Sequence, residues 1–456
     1  MQHTWLIFAG LALTAGCTGL VTESSSELAD PSTASNGSAD GSAAALTSGG
    51  PPIAGAWDPR FTIAGFTGPD GHAPTVYDFA RDIDGSIVAA GEFHYVGRTR
   101  VEPLLRLRNG VWQPARARWE ITPPGSGFSA VAIAPDGKLA VATYDDYGPR
   151  SGQIWIDDGT GLRPIGTFDG LIRRLRWYHG QLWAAGWAQI HQGASRIQGL
   201  AVWSGGGWMA PAGGAPTGFA FELVEDAGEL LVGGDFTSVG GVPSNGVSAW
   251  TGTLWHPMSF PRGATVYALG RGPDGELYAG GALGDLGGGA GGLARWTGDT
   301  WALFAGGVAA RTLPGVVTAL TAHQGSLFVA GCFSSVGGLE GNPRTVASRD
   351  VARFDGGAWH ALDDGSRRVN TPWIEPLACG DEGPSSVWDV SKQALVSAGH
   401  QVLLGGSFPG IAGVESQAII AHNGAGWLAQ GDTHGLGVGG SIDRLGIATL
   451  TGQVWA

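Results

Sequence analysis

The chain has 456 residues, of which 81 are Gly, 25 are Pro and 19 are Trp, and 43% are hydrophobic. So many aromatic residues exclude a disordered chain, and Gly together with Trp is typical of short strands joined by tight turns. The net charge of −13, with only 26 Lys and Arg spread along the sequence, excludes the basic surface that nucleic-acid binding needs.

The N-terminus predicts export. Residues 5–15 are an apolar run, too short to span a bilayer comfortably, that ends in small residues as a secretory signal does. The sequence Leu-Thr-Ala-Gly-Cys at 13–17 resembles the bacterial lipobox, which implies lipid on Cys17. Thr14 departs from the usual Leu, and no Lys or Arg precedes the run, so a plain cleaved signal is the alternative. We expect a signal peptide over residues 1–16.

A linker and one large domain should follow. The composition of residues 22–52 is Ser, Ala, Gly, Thr and Asp without aromatic residues, which cannot bury a core. We therefore predict a lipidated Cys and a disordered tether over 17–52, and a folded domain over 53–456. Together these features place the protein in the bacterial cell envelope, at the outer membrane or cell surface.

A repeat of about 47 residues dominates the folded part. One motif, an apolar run that ends in two small residues, recurs at 87–91, 182–186, 230–234, 277–281, 327–331 and 402–406. A Trp follows in six of the seven units, at Trp112, Trp208, Trp255, Trp301, Trp359 and Trp427. The second unit has Leu162 instead. Each unit parses as four strands, a to d.

The turns support this division. Pairs such as Asp84-Gly85, His179-Gly180 and Gln324-Gly325 stand between strands a and b, and Asn109-Gly110 stands between c and d. Such pairs supply the positive φ of tight hairpins. Short antiparallel strands at even spacing, with Trp and Gly in every unit, predict an all-β fold, a single β-propeller of four-stranded blades.

The repeats resemble those of kelch and galactose-oxidase-like propellers. They are especially similar to the cortical cell-polarity marker family and its bacterial surface relatives, over residues 57–456. The resemblance implies the fold and says little about activity, because the repeated residues are packing and turn residues.

Seven complete units begin near Val76, Phe128, Leu171, Gly218, Thr265, Val316 and Val387. Fragments at 56–61 and 442–456 look like further strands, and joining both termini would remove exposed sheet edges. We favour eight blades, one of them closed by both termini, over seven with trailing ends.

Long loops on a rigid scaffold carry function more often than the scaffold does. The longest lie at 334–349 and in an insertion at 363–384, which contains the possible binding residues Trp373, Glu375, Asp381 and Glu382. The alternative is an insertion without a ligand. Cys332 and Cys379 fall on the same face, so an oxidising compartment would allow a disulfide between them, with two free thiols as the alternative.

No catalytic motif and no metal-binding His spacing stands out, so we assign no catalytic residue, metal or cofactor. The favoured function is a monomeric, non-enzymatic binding module for a protein or glycan of the cell surface, without a nucleic-acid partner. The alternative is a secreted carbohydrate-active enzyme, for which Glu92, His94, Arg98 and Asp235 are the nearest candidate residues.

Overall fold

The structure is a computed structural model that describes residues 64–67, 74–96, 99–115, 127–144, 151–159, 161–261, 263–284, 286–287, 290–363, 379–380, 383–384, 393–431, 446–448 and 453–455. The chain divides into two units, Met1–Trp57 and Asp58–Ala456, and every described residue belongs to the second. The signal peptide, Cys17 and the linker lie outside the described residues, so the boundaries at 16 and 52 stay predictions. All regular elements of the described residues are strands.

The first four blades follow in chain order. Strands a to d are Thr75–Arg81, Ile87–Glu92, Leu104–Arg108 and Val111–Pro114 in blade 1. Blade 2 has Gly127–Ile133, Leu139–Tyr144 and Ser151–Asp157 and shares the long strand Leu162–Tyr178 with blade 3, which continues with Gln181–Gln192, Ser195–Trp203 and Trp208–Met209. Blade 4 has Ala220–Asp226, Glu229–Gly234, Val247–Trp250 and Trp255–Pro257.

Three more blades complete the set. Their strands are Thr265–Arg271, Leu277–Ala282, Leu293–Trp296 and Trp301–Leu303 in blade 5, Val316–His323, Ser326–Cys332, Val351–Asp355 and Ala358–Ala361 in blade 6, and Ala394–Ala398, Gln401–Gly405, Ile419–His422 and Trp427–Ala429 in blade 7. The order a-b-c-d within each sheet confirms the predicted blade. Strand a of blade 7 begins at Ala394, and the predicted start near Val387 lies outside the described residues.

The described blades form a ring because each blade packs its apolar face on the next. A separate cluster of buried side chains lies between each pair of neighbours from blades 1 and 2 to blades 6 and 7. Blades 7 and 1 also meet directly, where Leu403 and Ala421 pack with Ile87 and Leu107. The first and seventh blades therefore leave no place for another blade between them, and the prediction of eight blades is not confirmed.

The terminal fragments predicted to close an eighth blade are described only in part. The segment 56–61 lies outside the described residues. Near the C-terminus, Gly446–Ala448 and Gln453–Trp455 form the predicted hairpin, which pairs only with itself among the described strands.

The repeated Trp connects neighbouring blades. Its indole Nε1–H donates to a backbone carbonyl at or just after strand d of the preceding blade. These bonds are Trp208 to Ile165 (3.0 Å), Trp255 to Gly214 (3.2 Å), Trp301 to Met258 (2.6 Å), Trp359 to Ala305 (2.9 Å) and Trp427 to Leu362 (2.5 Å). Trp112 of blade 1 donates instead to the Gln430 side chain after blade 7, at 3.3 Å. In these six blades the Trp is therefore a lateral anchor to the preceding blade around the ring.

Two kinds of hairpin turn occur at the predicted pairs. His179-Gly180, Gln324-Gly325 and Asn109-Gly110 have positive φ at both residues, as a two-residue turn of this hand requires. At Asp84-Gly85 only the Gly has positive φ, and the Asp side chain instead accepts a hydrogen bond from the Ser86 amide at 2.9 Å. The repeated Asp is therefore a turn residue.

Adjacent strands within a blade are antiparallel. The b–c loops and d–a links of all blades therefore lie at one end of the ring, here called the loop end. The a–b and c–d hairpins lie at the other, the hairpin end. Short strands cover the loop end, at Phe66–Thr67, Tyr95–Val96, Thr99–Arg100, Ser238–Val239, Val242–Pro243, Val308–Ala310, Leu313–Pro314, Ser335–Val336, Val346–Ala347, Gly410–Ile411 and Val414–Glu415. Cys379–Gly380 and Gly383–Pro384 form a further hairpin.

Candidate functional site

Strand a of six blades contains the same irregularity. Its pairing with strand b skips one residue, which leaves that residue outside the ladder as a β-bulge does. The skipped residues are Tyr77, Ser129, Arg173, Phe221, Tyr267 and Thr318. Gln393 stands at the same place immediately before strand a of blade 7. We call these seven the ring residues.

The ring residues meet across the centre of the propeller. The Nη2 of Arg173 in blade 3 donates to the carbonyls of Tyr267 in blade 5, at 3.1 Å, and Thr318 in blade 6, at 3.0 Å. The Phe221 and Tyr267 rings stack at 5.4 Å, and the Thr318 hydroxyl bonds to the Gln393 side chain. Every ring residue is at most 5% exposed, so together they close the central channel.

A charged network lies directly on the hairpin-end side of the ring. Arg174 donates from Nε to both carboxylate oxygens of Glu222, at 2.9 and 3.1 Å, and from Nη1 to Asp78, at 2.8 Å. The backbone amides of Val131 and Phe79 also donate to Asp78, at 3.0 and 2.9 Å. The network therefore joins strands a of blades 1 to 4. Its two carboxylates face one guanidinium, and the neighbouring Arg173 supplies the second positive charge.

Burial shifts the acidities of these groups. It raises the pKa of Asp78 to about 6, against the opposing attraction of Arg174. Burial alone would lower the pKa of Arg174, but the two carboxylates outweigh it and raise that pKa above its usual value. Burial, with the like charge of Arg174, lowers the pKa of Arg173 to about 10, so both guanidinium groups stay charged at neutral pH.

A cavity of about 540 Å³ opens from this network toward the hairpin end. Its walls come from strand a of all seven blades and include Leu175, Leu223, Leu269 and Leu320. The Asp78–Arg174–Glu222 network belongs to its lining. The cavity combines apolar walls with a charged group, a pattern that suits a small ligand.

The candidate acids for catalysis do not converge. Glu92 is buried at the end of strand b in blade 1, whereas Asp235 follows strand b of blade 4 and is exposed. Asp235 accepts a hydrogen bond from the Phe219 amide at 2.6 Å, and partial desolvation of its carboxylate raises its pKa. No hydrogen bond or ion pair joins Glu92 or His94 to Asp235 in the described part of the chain, and Arg98 lies outside it.

The side chains predicted for the insertion cannot be placed. Trp373, Glu375, Asp381 and Glu382 lie outside the described residues. Cys332 is 4% exposed and is disulfide-bonded. The Cys379 side chain is also outside the described part, so the pairing of Cys332 with Cys379 stays a prediction.

The chain has distant likenesses among the solved structures. The chain is similar to the extracellular domain of a one-component system from B. thetaiotaomicron (11% identity, TM-score 0.43, covering 79% of this chain and 40% of that one) and to a GH74 xyloglucanase from Xanthomonas campestris (16%, 0.48, 81% and 55%). It is also similar to the β-propeller domain of the Trilobed protease from Pyrococcus furiosus (11%, 0.40, 79% and 97%). The chain has a β-propeller fold.

These likenesses concern the fold alone. The chain spans about half or less of the length of the first two proteins. No family model and no curated protein matches the sequence. The order of strands within the blades and the packing of each blade on the next confirm the predicted propeller. Membership of the kelch or cell-polarity marker families is not confirmed.

The described residues contain neither a metal-binding cluster nor a membrane-spanning helix. No group of three or more His, Cys, Asp or Glu could hold a metal ion there. Nor does that part of the propeller contain a helix that could cross a membrane.

Sequence reasoning missed the charged network, although a signal for it was present. At the position where blades 2, 5, 6 and 7 have Ala130, Ala268, Ala319 and Ala394, the other blades have Asp78, Arg174 and Glu222. Aligning the repeats by strand a would have shown two acids and one base in a column of Ala. Only the closed ring shows which blades face each other across the channel.

Proposed function

We propose that the chain is a non-enzymatic lipoprotein of the bacterial cell envelope, held by lipid on Cys17, whose loop end binds a protein or glycan of the cell surface. The propeller would be the rigid part, and the segment 17–52 would hold it away from the membrane.

The small hairpins at the loop end carry this proposal. In blades 4, 6 and 7 the b–c hairpin packs against strand d of its own blade, which fixes its position. The d–a link before blade 6 adds its own strands, because Val308–Ala310 pairs with Ser335–Val336. Loops held this firmly present a preformed surface, and a preformed surface loses little entropy on binding.

The longest described loop, at 334–349, shows how such a surface is held. The Ser334 hydroxyl accepts from the Arg311 amide at 2.8 Å and donates to Glu340 at 2.6 Å. The Thr345 hydroxyl donates to the Leu339 carbonyl at 2.8 Å. This ordered loop exposes Glu340, Asn342, Arg344 and Arg349. It offers both charges and amide groups, which suits a polar partner such as a glycan or a protein surface.

The test is crosslinking of the full-length chain on intact cells, followed by pull-down, together with a glycan-array screen of the purified chain. We expect the double variant Arg344→Glu, Arg349→Glu to lose the captured partner by at least tenfold. A matched charge reversal at the hairpin end, Asp299→Arg in the exposed c–d turn of blade 5, should capture it as the wild type does.

Equal loss in both variants would contradict binding at the loop end. Release of sugar from a polysaccharide by the wild-type chain would contradict the non-enzymatic part of the proposal and favour the carbohydrate-active alternative.

A further inference from the structure

The cavity at the hairpin end has a charged floor that the fold does not require. At the strand position of Asp78, Arg174 and Glu222, the other four blades have Ala. A small apolar residue therefore suffices for a blade at this position. Burying an ion network stabilises a protein little, because the desolvation of the charges offsets their attraction. The three charged residues therefore indicate a role in the cavity itself.

One end of the Arg174 guanidinium is available to the cavity. Its Nε and Nη1 donate within the protein, and no hydrogen bond among the described residues uses its Nη2. The Arg174 side chain is 15% exposed and lines the cavity. Nη2 is not enclosed by protein atoms, in contrast to the unpaired nitrogens of Arg173. It therefore presents two N–H donors to a ligand, on a guanidinium that two carboxylates hold in place.

The two carboxylates retain capacity to accept. One oxygen of Asp78 accepts from Arg174 and from a backbone amide, and the other accepts from a backbone amide alone. One oxygen of Glu222 accepts from Arg174 and from a backbone amide, and the other accepts from Arg174 alone. Since a carboxylate oxygen can accept two hydrogen bonds, each residue keeps one open site. Both side chains line the cavity, so its floor combines donors with acceptors.

Charge and size indicate what the floor would bind. The carboxylates of Asp78 and Glu222 balance the guanidinium groups of Arg173 and Arg174, so the floor has no net charge for a ligand to offset. A hydroxyl group both donates and accepts, so it can use both kinds of site. The cavity volume of about 540 Å³ lies within the range of small-ligand pockets, about 300–1,000 Å³.

The residue that follows the floor position in strand a is apolar in every blade. All seven of these residues line the cavity and form what we call the apolar collar, namely Phe79, Val131, Leu175, Leu223, Leu269, Leu320 and Leu395. A ligand that fits must therefore present hydroxyl groups to the floor and C–H groups to the collar. A sugar ring has both.

We propose that this cavity binds one neutral saccharide of one or two sugar rings. Its hydroxyl groups pair with Nη2 of Arg174 and with the open acceptor sites of Asp78 and Glu222, and its C–H groups pack on the apolar collar. The site lies at the hairpin end, so it is independent of the partner proposed for the loop end.

Calorimetric titration of the purified full-length chain at pH 7.5 tests the ligand class. The neutral probes are D-glucose, D-galactose, cellobiose and lactose, and the charged probes are D-glucuronate and D-galacturonate. We expect at least one neutral probe to bind at one site per chain, at least tenfold more tightly than either uronate. Binding of no neutral probe, or of a uronate as tightly as the best neutral probe, would overturn the proposal.

Two variants that act in different ways locate the site. Arg174→Lys keeps the positive charge but removes the Nη2 donors, and should weaken binding of the best probe about tenfold. Ala394→Leu leaves the network intact and places a larger side chain at the floor position of blade 7, so it should abolish binding. The control Arg271→Lys alters a half-exposed arginine paired with Asp226 outside the cavity and should bind as the wild type does.

The Tm of each variant without probe shows whether it folds, and either folded variant suffices for the test. Unchanged binding in a folded Arg174→Lys or Ala394→Leu chain would overturn the site. Crystals soaked in the best probe that contain only water at Nη2 of Arg174 would overturn it too.

Discussion

The outer rim of the propeller, where the Trp residues of strands d lie, is built from repeated contacts. The centre, which strands a line, is built from contacts that do not repeat. At the rim, six blades repeat one Trp, and five of them repeat the same indole-to-carbonyl bond to the preceding blade. At the centre, equivalent positions hold Asp78, Arg174, Glu222 or Ala. Arg174 bonds to Glu222 of the adjacent blade 4 and also to Asp78 of blade 1, which is not adjacent. Each repeated Trp contributes a similar contact between two neighbouring blades. The unrepeated residues instead form one buried charged network that holds several blades together.

The largest effect on stability should follow from removing Arg174 from the buried charged network. Arg174→Met would leave Asp78 and Glu222 as two buried carboxylates without their cation, and we expect a loss of about 3–5 kcal/mol in the free energy of unfolding at pH 7.5. Urea denaturation measures it. The control Arg271→Met breaks an ion pair whose arginine is half exposed and should cost about 0–1 kcal/mol. Equal losses for the buried network and for this exposed ion pair would contradict the prediction.

The predicted disulfide to the insertion after blade 6 is a second contact that the other blades do not repeat. If Cys332 pairs with Cys379, then Cys379→Ser should lower the free energy of unfolding by about 2–4 kcal/mol. Titration of the unreduced native protein with a thiol reagent should find neither cysteine reactive, and reductant should expose both. Two reactive thiols before reduction would rule out the bond.

The pH dependence of stability should carry the signature of Asp78. Its pKa is about 6 in the folded protein and near 3.8 in the unfolded chain, so the folded state binds the proton more tightly between these values. Stability from this group is therefore fully present below pH 4 and is lost as pH rises to about 6, by at most about 3 kcal/mol.

The difference between wild type and Asp78→Asn isolates that signature, since Asn does not titrate. We expect the difference in unfolding free energy to change between pH 4 and 6 and to stay constant from pH 7 to 8. A difference that is flat across the whole range would show that Asp78 is not perturbed.

The smallest effect should come from a single rim anchor. Trp301→Phe keeps most of the ring packing and removes the bond from Nε1 to the Met258 carbonyl, at a cost of about 1 kcal/mol. Thermal unfolding measures it, and Trp427→Phe should give a similar value because its bond is equivalent. A loss as large as that of Arg174→Met would show that the rim, too, depends on single residues.

Local chemistry explains why most of the fold was predictable. Leu230, Trp255 and Gly325 make their contacts in their own hairpin and its neighbour. Equivalent residues with equivalent neighbours recur about every 47 positions along the chain. The pattern therefore shows in the sequence itself. The blade count was not predictable in this way, because ring closure depends on the packing of Leu403 against Ile87, which lie more than 300 positions apart.

The sequence by itself determined that the chain folds as a propeller, where its strands and turns lie, and which Trp residues anchor them. Only the tertiary structure decided that blade 7 meets blade 1, that seven side chains close the channel, and that Arg174 joins Asp78 to Glu222. The physical reason is that repeats encode contacts between neighbouring units, whereas the channel is formed by residues that only ring closure brings within hydrogen-bonding distance.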